Sequence, residues 1–316
     1  RGALAYRRGD QFIDVSTADF VATVRALAKG LLGLGVQPGD RVCIFMPSRI
    51  EFTYLDYAIW FAGATAVKVY ETSSPGQVEW IVGERGAVAV VTATEDLAKR
   101  FRSVADRLPA CRDLVIVDDD GLDRLRDAGA AVTDEALSER IDGIEHDQLA
   151  TLVYTSGTTG RPKGCMVTHG NLIWEVRQVV GKMADLFHPG GSTLMFLPLA
   201  HILARVVQVG CVTKGVKIGY STGIARLVHE LGMFRPNWVF AVPRVFEKVY
   251  NTAQGNAGSG MRRRLFDRAV DIAIRYSKES IAGHVSPSTK LQRALFDRLV
   301  YGKLRSALGD RKSTRL

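Results

Sequence analysis

Ten consecutive residues near the middle of the chain carry the groups that a phosphate site needs. From Thr155 to Gly164 stand four hydroxyls (Thr155, Ser156, Thr158, Thr159), three glycines (Gly157, Gly160, Gly164) and the cationic residues Arg161 and Lys163. Glycines let a backbone approach an anion and turn its N–H groups inward. Hydroxyls add donors, and a lysine adds a point charge. The pattern is not GxxxxGK[ST]: Pro162 separates Arg161 from Lys163, and Gly164 occupies the Ser/Thr position. A polar hairpin turn is the plainer reading, but ten residues in this order are far more specific than a lone glycine-serine cluster. A second candidate is His201, in Pro198-Leu-Ala-His201. The four cysteines, Cys43, Cys111, Cys165 and Cys211, form neither a CxxC pair nor a disulfide framework, which suggests a reducing compartment.

Around these residues the chain alternates between helical and strand patterns. Val21, Val24, Leu27, Ala28, Leu31 and Leu32 have helical spacing, and Gly33 and Gly35 end that run. Strand-like runs follow at Arg41–Met46, Ala64–Tyr70, Ala87–Thr92 and Leu114–Val117, with helices expected over Glu51–Ala62 and Gln77–Glu84. Leu152–Tyr154 ends a buried strand and Cys165–Thr168 resumes one. Gly170-Asn171 then opens a helix over Leu172–Val180. This alternation predicts an α/β protein with mostly parallel sheets joined by helical crossovers. Residues 118–148 are polar and acidic and read as a surface connection. Arg8-Gly9-Asp10 reads as a turn between two short strands.

Three further stretches narrow the assignment. Tyr154-Thr-Ser-Gly-Thr-Thr-Gly-Arg-Pro-Lys-Gly164 resembles the phosphate loop of the AMP-forming adenylate enzymes: acyl-CoA synthetases, adenylation domains and luciferases. Phe196-Leu-Pro-Leu-Ala-His-Ile-Leu-Ala-Arg205, Val242-Pro-Arg-Val-Phe-Glu-Lys-Val-Tyr250 and Tyr70-Glu-Thr-Ser-Ser74 resemble the long-chain fatty-acyl-CoA synthetase branch. The resemblance implies two steps. A fatty carboxylate attacks the α-phosphorus of ATP, releasing pyrophosphate, and the thiol of CoA then attacks the acyl carbon of acyl-AMP, releasing AMP. It implies ATP and Mg²⁺ as cofactors, with CoA and a fatty acid as co-substrates. It places Thr155, Ser156, Gly157, Thr158, Thr159, Gly160, Lys163 and Gly164 on the ATP phosphates, with Thr158, Lys163 and His201 catalytic. His201, Arg205 and Trp238 fall on the acyl side. Arg205 stands where some relatives carry a tryptophan gate, and it reads equally as an electrostatic latch or a surface salt bridge. Trp238, Phe240 and Val242 line the acyl half or simply pack a core. At Lys68 the family usually has proline, so a lysine there must reach solvent or a partner.

The resemblance also implies elements that this sequence does not contain. Missing are a Tyr-Gly-x-Thr-Glu segment whose Glu holds Mg²⁺, a Thr-Gly-Asp segment that binds ribose, the hinge, and the C-terminal lid with its lysine. The expectation is an inactive fragment of the large N-terminal domain, with stacked α/β subdomains over 1–148 and 149–309 and no metal ligand of its own. Residues 310–316, Asp-Arg-Lys-Ser-Thr-Arg-Leu, are what GAT CGG AAG AGC ACA CGT CTG would encode, which matches the start of a common sequencing adapter. We read them as adapter read-through, which a native locus encoding them in frame would overturn. A fatty-acid AMP ligase, an aryl-CoA ligase and a non-catalytic nucleotide-binding module are the alternatives.

Composition sets the outer bounds. Hydrophobic residues make up 47% and charged residues 24% of the 316, so wholesale disorder is excluded. No apolar run reaches the roughly 18–20 residues of a membrane-spanning helix; Tyr54–Val67 is the nearest, and Asp56 breaks it. With no secretory pattern after Arg1, a cytoplasmic protein is expected, touching the inner face of the membrane peripherally at most. The net charge of +9 is local: residues 1–260 carry 28 basic and 28 acidic side chains, and residues 261–316 carry 14 and 5. Met261–Tyr276 reads as an amphipathic helix with Leu265, Ala269, Ile272, Ala273 and Tyr276 inward. Its outer cations suit a solvated face or an anionic membrane surface. No fold or aromatic interleaving supports nucleic-acid binding.

Overall fold

The structure, a computed structural model, describes residues 2–155 and 161–309. The chain divides into two compact units, Arg1–Tyr220 and Ser221–Leu316. The first unit runs β1 (Gly2–Arg8), β2 (Gln11–Ser16), α1 (Thr17–Gly33), β3 (Arg41–Phe45), α2 (Ile50–Phe61), β4 (Thr65–Val69), α3 (Pro75–Glu84), β5 (Ala89–Thr92), α4 (Glu95–Arg102), β6 (Asp113–Ile116), α5 (Gly121–Ala128), α6 (Asp134–Asp142), β7 (Leu149–Thr155), β8 (Lys163–Thr168), α7 (His169–Lys182), β9 (Ser192–Met195), α8 (Ile202–Lys214) and β10 (Lys217–Tyr220).

Among the described residues these strands form two sheets, ordered β6-β5-β3-β4-β7-β8 and β2-β1-β10-β9. Pairing is parallel except for the β1–β2 and β7–β8 hairpins. β4 and β5 are buried at every position. Their apolar runs therefore lack alternation, as expected of strands covered on both faces. The boundary expected between 148 and 149 falls inside the first unit, directly ahead of β7, which pairs with β4 and β8. Arg8-Gly9-Asp10 forms the β1–β2 turn, with Gly9 at φ +59°. All four cysteines are free.

Helix starts are set by local chemistry. Ser16, Ser74, Thr94, Thr133 and Thr168 each accept a backbone N–H at an N-terminus, an interaction worth about 1 kcal/mol apiece. Gly170-Asn171 does not open α7 as expected. Thr168 caps it, and Asn171 closes a capping box by reaching back to the Thr168 backbone.

Residues 118–148 are more than a surface connection. They contain α5 and α6, and α5 crosses α1 at very short range. A Cβ at Gly30 would lie 2.0 Å from the Leu125 carbonyl oxygen, and one at Gly33 would lie 1.9 Å from that of Ala128. Both contacts are with backbone, so a side chain there must push the helices apart. Gly30→Ala is expected to lower stability by about 1–3 kcal/mol, read as a shift in the urea midpoint. A midpoint equal to wild type would show that the helices separate freely.

The second unit contains α9 (Leu227–Phe234), α10 (Pro243–Asn256), α11 (Met261–Ile281), α12 (Pro287–Phe296), a π-helical turn (Asp297–Tyr301) and α13 (Gly302–Ala307). Ala269, Ile272 and Phe296 form its core, with Val300 and Tyr301 against them. Near its start, buried Glu230 accepts bonds from the Ser221 and Thr222 hydroxyls and the Thr222 N–H. The inward face of α11 differs from expectation at three positions. Phe266 is buried with Ala269 and Ile272, while Leu265 and Ala273 are exposed. The Phe266 ring packs 5.7 Å from Tyr250, an aromatic contact that Leu265 cannot supply. Arg264, Arg268 and Arg275 stand exposed on α11. No described helix is long and apolar enough to cross a membrane. The adapter reading falls on 310–316, outside the described residues.

Candidate active site

Three neighbouring parallel strands end at one edge. Phe45 is paired with Val69, and Val67 with Leu152, so Met46 and Tyr70, just past their strands, lie level with Thr155, the last residue of β7. In open α/β sheets ligands bind outside this carboxyl edge. The hydroxyl- and glycine-rich segment begins here, at Thr155. Thr155 pairs with Lys163 across the β7–β8 hairpin, and both side chains are exposed. Ser156, Gly157, Thr158, Thr159 and Gly160 lie outside the described residues.

The hairpin is braced by α3. Trp80 Nε1 donates to the Pro162 carbonyl at 2.8 Å, and the Arg161 guanidinium lies 4.7 Å above the Trp80 ring. Tyr154 Oη donates to Glu84 Oε2 at 2.6 Å. Burial, then the Glu84 carboxylate, holds that phenol above the usual tyrosine range. Tyr154 stands opposite Gly164, where a Cβ would come within 3.0 Å of the tyrosine Cζ. Gly164 therefore makes room for the Tyr154 ring, a packing role that needs no contact with phosphate. Trp80, Glu84 and Tyr154 were not singled out from the sequence. The signal was there in the placement of Trp80 and Glu84 one turn apart, on the face of α3 that meets the hairpin.

His201 caps the N-terminus of α8 and is exposed. Its ring meets Tyr70 edge-on, with centroids 5.1 Å apart. Through Tyr70 the structure thus brings His201 beside the edge that carries Thr155. Arg205, one turn further along α8, is elsewhere. It is fully buried and pairs with the equally buried Asp56 of α2 at 3.1 Å. Its guanidinium lies 5.1 Å from the Trp60 ring. Lys68 is bonded to the same carboxylate and lies 4.6 Å from the Phe52 ring. The partner required of Lys68 is therefore Asp56. The surface salt bridge considered for Arg205 is instead a buried cluster of two cations on one carboxylate. Burial lowers the proton affinity of both cations, Lys68 to about 7, against the pull of Asp56. Trp238 is half-buried in the second unit.

A sequence model for the AMP-binding enzyme family matches residues 1–299. The chain belongs to the AMP-binding enzyme family. Among relatives, it is 42% identical over 299 residues to the long-chain-fatty-acid–CoA ligase FadD15 of Mycobacterium bovis, covering 94% of this chain and 50% of that protein. It is 31% identical to the peroxisomal long chain acyl-CoA synthetase 7 of Arabidopsis thaliana, covering 91% and 41%. The chain thus spans about half the length of the curated relatives it matches. The family fold is shared with ATP-bound MatB of Rhodopseudomonas palustris (TM-score 0.68, 21% identity, 79% and 48% covered). It is also shared with the long-chain-fatty-acid-CoA ligase FadD1 of Archaeoglobus fulgidus (TM-score 0.65, 21% identity, 80% and 50% covered). As a member of the AMP-binding enzymes, the chain carries its Thr155–Lys163 hairpin at the sheet edge where open α/β sheets place their ligands.

Proposed function

We propose that this chain is the adenylating part of a long-chain fatty-acid–CoA ligase. The observation that carries the reading is the common edge: the Thr155–Lys163 hairpin emerges level with Tyr70, whose ring meets His201. Similarity to relatives named long-chain-fatty-acid–CoA ligases supplies the substrate class. In this reading Thr155, Ser156, Gly157, Thr158, Thr159, Gly160 and Lys163 hold the ATP phosphates, and Gly164 shapes the hairpin. His201 faces the fatty carboxylate as an oxygen attacks the α-phosphorus and pyrophosphate leaves. The thiol of CoA then takes the acyl group and AMP leaves. Positioning and charge neutralisation account for most of the first step. Trp238 remains proposed for the acyl side. Arg205 supports α8 from within the core.

Mg²⁺ is assigned to no residue of this chain. Among the described residues no three His, Cys, Asp or Glu side chains converge on a point, and the Glu that the resemblance implies has no counterpart in the sequence.

The test is palmitate- and ATP-dependent pyrophosphate release by the product of the longest open reading frame that contains this chain. Lys163→Ala is expected to lower kcat/KM for ATP about tenfold to a hundredfold, the range for losing a charge-assisted contact to phosphate. Unchanged kcat/KM would remove Lys163 from the phosphate site. Absence of palmitate-dependent release in the wild type would remove the fatty-acid reading altogether.

A further inference from the structure

The loop that presents His201 is held by a residue outside every motif considered so far. Ser48 lies between β3 and α2, at the same carboxyl edge as Tyr70 and Thr155. Its hydroxyl donates to the Leu197 carbonyl at 3.0 Å and accepts from the Leu199 N–H at 2.7 Å. These two peptide groups flank Pro198, which has no N–H to offer. One hydroxyl thus satisfies both sides of a turn that cannot close on itself at its centre. From that turn the Pro198 carbonyl accepts the His201 N–H at 2.9 Å. The chain of contacts runs from Ser48 through residues 197–199 to the backbone of His201.

α8 itself is fixed by other bonds. Asp56 holds Arg205 at 3.1 Å, and Thr53 accepts from Gln208 Nε2 at 2.9 Å. Residues 48–56 therefore grip this region at three points. Two lie inside the helix, and Ser48 alone grips the loop ahead of it. His201 makes no side-chain hydrogen bond at the cap. Its ring is oriented by the turn behind it and by the Tyr70 edge. Losing the Ser48 hydroxyl leaves α8 anchored through Arg205 and Gln208 but frees the turn that places His201.

We infer that Ser48 is a positioning residue for His201, acting through the Leu197–Leu199 turn. The inference rests on the reading that His201 meets the fatty carboxylate. A displacement near 1 Å at such a site is enough to cost a large factor in rate.

The experiment measures palmitate-dependent pyrophosphate release by the same full-length product. Ser48→Ala is expected to lower kcat about tenfold, with KM for ATP changed less than about twofold. Ser48→Thr, which keeps the hydroxyl, should retain most of kcat. In a His201→Ala background, Ser48→Ala should change kcat less than about twofold, because its effect passes through a side chain already removed. If the alanine variant fails to fold, Ser48→Cys keeps the size, weakens both bonds, and takes its place in the cycle. Wild-type kcat in Ser48→Ala beside an impaired His201→Ala would overturn the inference while leaving the role of His201 intact. Multiplicative effects in the double variant would do the same. Wild-type kcat in His201→Ala would overturn the reading of His201 and this inference together.

Discussion

Asp56→Ala is expected to destabilise the first unit by about 3–5 kcal/mol, the range for removing one partner of a buried ion pair. Asp56, Lys68 and Arg205 are each at most 1% exposed. The carboxylate is the counter-charge for both cations. Without it the two respond differently. Lys68, already lowered to about 7 by burial, loses its proton at neutral pH. A guanidinium keeps its charge in any protein environment, so Arg205 is left as an unpaired cation against Trp60. Most of the cost therefore resides in Arg205. Adding Arg205→Met to Asp56→Ala should recover most of the loss, because it replaces the cation with an apolar side chain of similar length. Urea unfolding of the wild type, the single variants and the double variant checks the cycle. An Asp56→Ala midpoint equal to wild type would mean that water reaches Arg205 and that the cluster is not sealed.

The same cluster shows where the sequence was legible and where it was not. The alternating pattern predicted β3, β4, β5 and β6 and the helices α2 and α3, but not α4 between β5 and β6. Strands buried on both faces and helices with one apolar stripe leave marks that survive without tertiary information. The hydroxyl–glycine segment stood out in the sequence because its residue types are local, and its central residues 156–160 lie outside the described residues. Lys68 was legible as an anomaly: a cation in an apolar strand needs a partner. That partner was not readable, because Asp56 lies one helix back and Arg205 about 140 residues on. Arg205 was read as a surface or substrate residue because arginines are rarely sealed. Only the packing of α8 on α2 shows otherwise. Gly33 likewise read only as the end of a helix, and the purpose of Gly30 and Gly33 depends on α5 crossing there. The brace on the hairpin was missed because Trp80 has an apolar pattern and a polar task, its indole N–H reaching the Pro162 carbonyl.

Lys68→Met should stabilise the protein at neutral pH and flatten its pH dependence. The ordinary lysine proton affinity, near 10.5, applies to the unfolded chain, and burial brings the folded value to about 7. Between these values the unfolded chain holds a proton that the folded chain lacks. Stability therefore rises with pH across this window, by roughly 1.4 kcal/mol per unit where the difference is a full proton. Below about pH 7 both states are protonated and the folded one bears the whole cost of a buried second cation. Other groups act in the opposite direction at higher pH. Burial holds the Cys43 and Cys211 thiols and the Tyr57 and Tyr220 phenols protonated in the folded state, so their unfolded forms ionise first and stability falls above about pH 8.5. The Arg205 guanidinium, which shares Asp56 with Lys68, keeps its charge throughout. The clean interval is pH 7 to 8.5. There the wild type should gain about 1.6 kcal/mol relative to Lys68→Met, which lacks the titrating ammonium. Equal pH slopes in the two proteins would show that Lys68 reaches water. A variant less stable than wild type at pH 7 would show that the second cation supports the cluster more than its burial costs.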